Sequence, residues 1–357
     1  MRYFDEQLVA NSRPHKAWWN ETCLSRTIFH ETEDAHAQRL RDGGVVGNAA
    51  AVLPRDAWLD LDGITRRIMR NDEGNAFMAD LMPLAKAVNI GKLVHLNRVA
   101  SDAGRVTRSM SGQVPETLDK VEYDYRGVPV PIFSSGYGRE WREWNTLQSE
   151  NFDALADDQE AVTAAIREDM ADYALDGDTS ITFEGYAGRG IRTSSLSKSI
   201  NLGSAAGGAN IDLSAAGTTS DAIEAFINGP FGKMLDDNLV ARPVNLYISP
   251  EIARNWDRPY SGSAGTKPGS LRDAILANRR INKIEVTFKL SGNQFFFFVP
   301  SAEYIRPLIG MAVTTTAITR QHPMANYNFL VSVAMCLEIR ADFSGKSGVG
   351  YSVVVNA

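Results

Sequence analysis

Cysteine is nearly missing: Cys23 and Cys336 are the only two in 357 residues, at opposite ends of the chain. No C-x-x-C spacing exists to hold zinc or a redox dithiol, and one distant pair is a weak reason to expect export. Long apolar runs are missing as well. No stretch approaches the ~18 uncharged apolar residues of a membrane-spanning helix. The densest patch, Phe295 to Pro300, is strand-sized. The opening Met1-Arg2-Tyr3-Phe4-Asp5-Glu6 lacks the apolar run of a secretory signal, so synthesis and assembly inside a cell are expected. Excess charge is small. The 43 acidic and 37 basic side chains leave −6, which offers no overall attraction to nucleic acid or anionic membrane. That balance disfavours a sequence-specific DNA reader more than it disfavours a container. Histidine is scarce too, and five residues leave few general bases for a serine or cysteine nucleophile.

What is present reads as a folded chain of two domains or one elaborate domain, with 44% hydrophobic and 22% charged residues. The first 90 residues read as an irregular arm followed by short helices. Apolar residues recur at three or four over roughly 53–70 (Trp58, Leu61, Ile64, Ile68) and roughly 75–88 (Phe77, Leu81, Leu84, Val88). From about 92 to 135 the period falls to two: Leu93, His95 and Asn97 alternate with Val94, Leu96 and Arg98, then Val121, Tyr123 and Tyr125 with Glu122, Asp124 and Arg126. Pro129 and Pro131 remove ladder donors, so this segment belongs at an edge, as a long hairpin reaching away from the body. An edge of that kind invites a covering subunit.

The strongest periodicity follows. Phe152, Leu155, Gln159, Val162, Ile166, Met170 and Tyr173 draw one stripe on a helix of about 25 residues, roughly 37 Å long. Asp153, Asp157, Glu160, Glu168 and Asp172 take the other side, and Asp176-Gly177-Asp178 ends the helix. Residues 185–219, rich in Gly, Ala, Ser and Thr, suit a flexible or extended connector. A second domain opens with helical character near 220–237, which Gly229-Pro230 is expected to break. A strand at Val244–Ile248 leads to Ser249 as N-cap with Pro250 at the first helical position. A helix near 270–279 and strands near 283–289, 294–299, 309–316, 329–338 and 349–355 complete the chain.

No motif carries chemistry. His30-Glu31-Thr32-Glu33-Asp34-Ala35-His36 fails the zinc-protease pattern because six positions separate its histidines, and it reads as a solvated charged segment. Gly185, Gly188 and Gly190 have the wrong spacing for a dinucleotide loop and serve a turn. Gly345-Lys346-Ser347 has Arg340 where a phosphate-binding loop needs its upstream glycine. Ser261 occupies the first glycine position of a nucleophile elbow around Ser263. His322 is the least poor base. Lys92, Arg98, Arg105 and Arg108 give the hairpin a modest basic side, suited to solvent, to an acidic neighbour or to phosphate. No catalytic, cofactor-binding or metal site is assigned.

Taken in order, these elements resemble the HK97-like major capsid proteins of tailed bacteriophages. The likeness covers about residues 90–357. It rests on Lys120 to Ile132, on the helix closing with Ala171-Asp172-Tyr173-Ala174-Leu175-Asp176-Gly177-Asp178, and on Pro243 to Glu251. The resemblance implies an α+β HK97-like fold: N-terminal arm and short helices 1–90, extended loop 91–136, peripheral domain 137–219 with spine helix 150–175, axial domain 220–328, and a return to the peripheral domain over 329–357. It also implies a non-enzymatic virion protein, assembled in the host cytoplasm as pentamers and hexamers of an icosahedral shell. Its implied partners are a portal, scaffolding or decoration proteins and non-specifically contacted DNA, with no membrane. An encapsulin-like compartment shell and an unrelated soluble enzyme are the alternatives. The family's lysine–asparagine cross-link is not carried over, because neither Lys92 nor Lys120 sits at the hairpin tip.

Overall fold

The computed structural model describes residues 13–43, 61–65, 68, 75–102, 110, 120–143, 154–262, 265 and 268–357. Its first element departs from the expected irregular arm. Helix α1, Arg13–Asp42, runs for 30 residues. Its inward stripe is His15, Trp18, Thr22, Arg26, Phe29, Glu33 and His36, at steps of three or four. Five of those seven are polar, so a hydrophobic period could not reveal the helix. They are buried because each finds a partner or a ring to pack on. Arg26 donates to both Asp62 carboxylate oxygens at 2.8 and 2.9 Å and to the Thr315 carbonyl at 3.1 Å.

Most of the 53–70 helix lies outside the described residues, although 61–65 are helical. Helix α2, Ala76–Leu81, passes into a 3-10 turn at Met82–Leu84, where Pro83 stops the α pattern earlier than expected. Short strand β1, Lys86–Ala87, follows. Strands β2, Val94–Ala100, and β3, Tyr123–Pro129, pair antiparallel from Val94↔Pro129 to Ala100↔Tyr123, which is the expected ribbon. Strand β4 is Ile132–Arg139. Helix α3, Ala154–Asp176, occupies the place of the long periodic helix, and buries Leu155, Gln159, Ile166, Met170 and Tyr173. Gln159, the polar member of that stripe, is satisfied. It accepts from the Tyr137 hydroxyl and donates to Thr65 Oγ1 at 2.8 Å and Thr315 Oγ1 at 2.6 Å. Gly177 ends the helix at φ +67, and a Cβ there would lie 2.4 Å from the Gly190 nitrogen.

Strands β5, Gly177–Phe183, and β6, Tyr186–Arg189, form a hairpin, and β7 is Lys198–Asn201. The small residues after β7 are packed rather than flexible: a Cβ on Gly203 would fall 2.0 Å from the Val355 carbonyl oxygen. Helix α4, Ser220–Phe226, starts at the Thr219 cap. It continues through a π turn, Ile227–Phe231, into α5, Gly232–Asp237. Gly229-Pro230 therefore widens the helix without breaking it, because a π turn makes room for the proline ring and its missing N–H. Strand β8, Val244–Ile248, precedes α6, Pro250–Trp256, capped as expected by Ser249, whose hydroxyl accepts from the Ile252 N–H. Helix α7, Leu271–Leu276, carries a reciprocal Ser270–Asp273 capping box. The chain ends with β9, Ile281–Val286, β10, Phe295–Phe298, β11, Ile305–Ile318, β12, Tyr327–Ile339, and β13, Val349–Val353.

Two larger sheets organise the core, in the orders β1-β11-β12-β4 and β7-β13-β10-β8-β9. Strand membership differs from the expected return over 329–357. The chain crosses to the first sheet one strand early, at β11, and β13 goes back to the second, antiparallel to β10 and parallel to β7. Strand patterns define faces, not neighbours, so partner choice could not be read from them. Strand β10 couples the two cores. Phe296 and Phe298 stack on Tyr247 beside α2 and the first-sheet residues, while Phe295 and Phe297 point to Phe226 and Phe231 on the other face. That double burial explains a run of four phenylalanines with no polar alternation.

Candidate assembly surface

The chemistry-bearing residues singled out by sequence do not converge. Glu33, His30 and His36 are buried against the end of β11, which corrects the solvated reading of this segment. Glu33 accepts from Arg320 Nε at 2.8 Å and from Arg320 Nη2, and His36 Nδ1 lies 3.9 Å from the same carboxylate. The segment is an anchor for α1, and its signal was hidden because the paired arginine lies 287 residues away. Among the described residues no group of three His, Cys, Asp or Glu side chains could hold a metal ion. Gly185 at φ +83 and Gly345 at φ +79 both serve turns. His322 is exposed on a loop, and Ser263 lies outside the described residues. Cys23 is exposed, whereas burial pushes the thiol of Cys336 up. No helix of the described residues is long and apolar enough to cross a membrane.

What stands out instead is the β2–β3 ribbon. Leu96, Tyr123 and Tyr125 are exposed on one face of it, Leu96 at 53% and Tyr125 at 55%, and Leu93 and Val121 are exposed just outside its strands. Single exposed apolar residues are ordinary, but this many together on a two-stranded ribbon make an unsatisfied surface. Arg98 lies 4.7 Å over the Tyr123 ring, and Lys92 is exposed, while Arg105 and Arg108 lie outside the described residues.

The base of the ribbon is clamped. Glu338 on β12 is 2% exposed and accepts from Arg306 Nε at 2.6 Å, with His95 Nε2 of β2 at 4.0 Å. Arg126 of β3 donates to the carbonyls of Ala341 and Asp342 at 3.0 and 3.1 Å. These contacts fix the direction in which the ribbon leaves the body.

His95 of the clamp and His15 and His36 of α1 make stability sensitive to acid. Burial holds the imidazoles of His15, His36 and His95 below their ordinary range; for His36 and His95 it outweighs the opposing pull of Glu33 and Glu338. Folded-state pKa values below the unfolded value mean that the unfolded chain binds more protons as pH falls. The contribution is complete above about pH 6.5, the ordinary histidine value, and is lost on acidification. Thermal unfolding from pH 8 to 5 should show a flat midpoint that begins to fall near pH 6.5. A midpoint that rises on acidification would contradict the buried neutral histidines.

A family model described as a family of unknown function, DUF6260, matches residues 48–352, and the chain belongs to that family. No curated protein matches it. Solved structures do. The virus-like particle of Pyrococcus furiosus aligns at 15% identity and TM-score 0.54, over 84% of this chain and 100% of that one. The capsid of the Myoviridae phage XM1 aligns at 11% identity and TM-score 0.58, over 78% and 91%. The capsid of a native GTA particle aligns at 11% identity and TM-score 0.52, over 76% and 89%. At these identities the likeness is one of fold, and the fold is the α+β HK97-like fold.

Proposed function

We propose that this chain is a major capsid protein, which self-assembles into the icosahedral shell enclosing phage double-stranded DNA. The observation that carries the reading is the fold match, which spans 91% of the XM1 capsid chain and includes all of the Pyrococcus particle chain. The exposed apolar ribbon supports it, since a subunit in a shell covers its neighbour's edges. In this reading the β2–β3 ribbon is the extended loop, and the N-terminal region is a helical element packed on the body through α1 and α2. The first sheet with α3 is the peripheral body, and the second sheet with α4 to α7 is the axial body. The role is structural, not catalytic. Pentamers and hexamers built on a portal, with scaffolding or decoration proteins and non-specific DNA contact, complete the virion, after assembly in the host cytoplasm.

A compartment shell with protein cargo is the alternative reading, since a shared shell fold does not fix what the shell encloses. Contents separate the two. Particles purified from infected or expressing cells, treated with nuclease and then opened, should release long duplex DNA. Particles that hold a stoichiometric foreign protein and never DNA would move the assignment to the compartment. A chain that stays monomeric across concentration and salt in light scattering would reject both.

A further inference from the structure

A cationic groove borders the β2–β3 ribbon, and an acidic groove lies at the start of β4, just after it. Arg126 and Gly127 are consecutive on β3 and so face its two sides. Arg126 reaches the 341–342 backbone, whereas a Cβ on Gly127 would meet the Tyr186 ring at 2.7 Å. On the Arg126 side lies a groove of about 450 Å³ walled by Arg340 and Lys346. Arg340 Nε is buried without a hydrogen-bond partner, 3.8 Å from the Glu338 carboxylate. The Lys346 ammonium has no ion pair among the described residues. Of the two acids of this groove, Glu303 pairs with Arg242 at 3.0 Å, while the Asp342 carboxylate accepts a neutral backbone N–H, that of Lys346 at 2.7 Å, which leaves two cations against one anion. Leu239 stands in the same wall, 69% exposed and at φ +55, a conformation that a leucine adopts only under constraint.

At the start of β4, beside α3, a groove of about 500 Å³ is lined by Asp169, Asp172 and Asp178 with Ile132, which is 58% exposed. Tyr173 forms part of its wall, and its buried hydroxyl has no hydrogen-bond partner among the described residues. Asp172 shares Lys289 with Glu168, while Asp169 is exposed and has no ion pair among the described residues.

We propose that the cationic groove of one copy receives the acidic groove of the next, with Arg340 and Lys346 on the aspartates and Leu239 against Ile132. This rests on the shell reading and names one contact within it. The occupant is a second copy of this chain because complementary charge and an exposed apolar residue occur together on both walls. A nucleic-acid backbone would match the cations and leave Leu239 uncovered. The two walls are different surfaces, so the contact is heterologous, and its repetition about an axis closes a ring.

Charge reversal tests it. Lys346→Glu and Asp169→Lys should each raise the concentration for half-assembly about tenfold or more, since facing like charges are costly at an interface. Their thermal unfolding should match that of the wild-type chain, because both side chains lie outside the cores. The double variant, which restores opposite charges across the contact, should return assembly to within about threefold of wild type. Assembly of both single variants as wild type, or a double variant no better than the singles, overturns the pairing and leaves the shell reading intact. Lys346→Glu particles that form normally but retain less duplex DNA would make the groove a phosphate contact and also overturn it. A wild-type chain that never assembles overturns this contact together with the shell reading.

Discussion

Ile166→Asp is expected to abolish soluble folded protein or to lower stability by about 4 kcal/mol or more, because it places a carboxylate where no donor waits. Ile166 is 4% exposed on α3 and packs in the cluster that holds Met170, Val331, Val333 and Met335. The matched control is Asp157→Asn in the first turn of the same helix. Asp157 is exposed, and its replacement should stay within about 0.5 kcal/mol. Chemical denaturation of the two variants side by side checks the face assignment. Equal stability would remove the ground for treating α3 as the helix on which the first sheet packs.

Glu33→Ala should cost about 3–5 kcal/mol, most of it from a guanidinium left buried without its counter-charge. Among the described residues, Arg320 would keep the Pro323 and Ala325 carbonyls, at 2.8 and 3.2 Å, and the Tyr327 ring 4.0 Å below it. The damage should be local. Helix α1 is held to β11 by Arg26, to the segment just after β11 by this pair, and to β12 by Phe29, whose ring lies 6.3 Å from that of Phe329. Hydrogen exchange should therefore show α1 amides losing protection while those of α3 and β12 keep theirs. Replacing both partners with apolar residues of similar volume, Glu33→Met with Arg320→Leu, should recover much of the loss. Unchanged α1 protection in Glu33→Ala would show that the pair does not hold the helix.

Periodicity made α3 and the ribbon legible, because both bury or expose residues in a repeating order. Ser249-Pro250 was equally readable, since a cap acts through bonds to residues two or three positions away. Helix α1 was not readable, because its buried stripe is mostly histidine, threonine, arginine and glutamate, and the partners of Arg26 and Glu33 are remote in sequence. The Gly229-Pro230 pair misled for a related reason: a local breaker signal was absorbed by a π turn between two helices that pack as one. For the candidate surface, the exposed ribbon was expected from its alternation and its prolines. The two grooves beside it were not, since Arg340, Leu239 and Lys346 meet only in three dimensions.

The sequence by itself determined the class of architecture, the long helix and its buried face, the ribbon, and the scarcity of residues for metal or nucleophilic chemistry. These depend on composition and on contacts of short sequence separation, which local order encodes. The tertiary structure alone decided which sheet each late strand joins, how β10 serves two cores, and where Glu33 and Glu338 find their arginines. It also decided that the charges beside the ribbon sort into one cationic and one acidic groove. Each of these outcomes depends on residues brought together across long stretches of chain, where burial and pairing are set by the whole fold and leave no periodic trace.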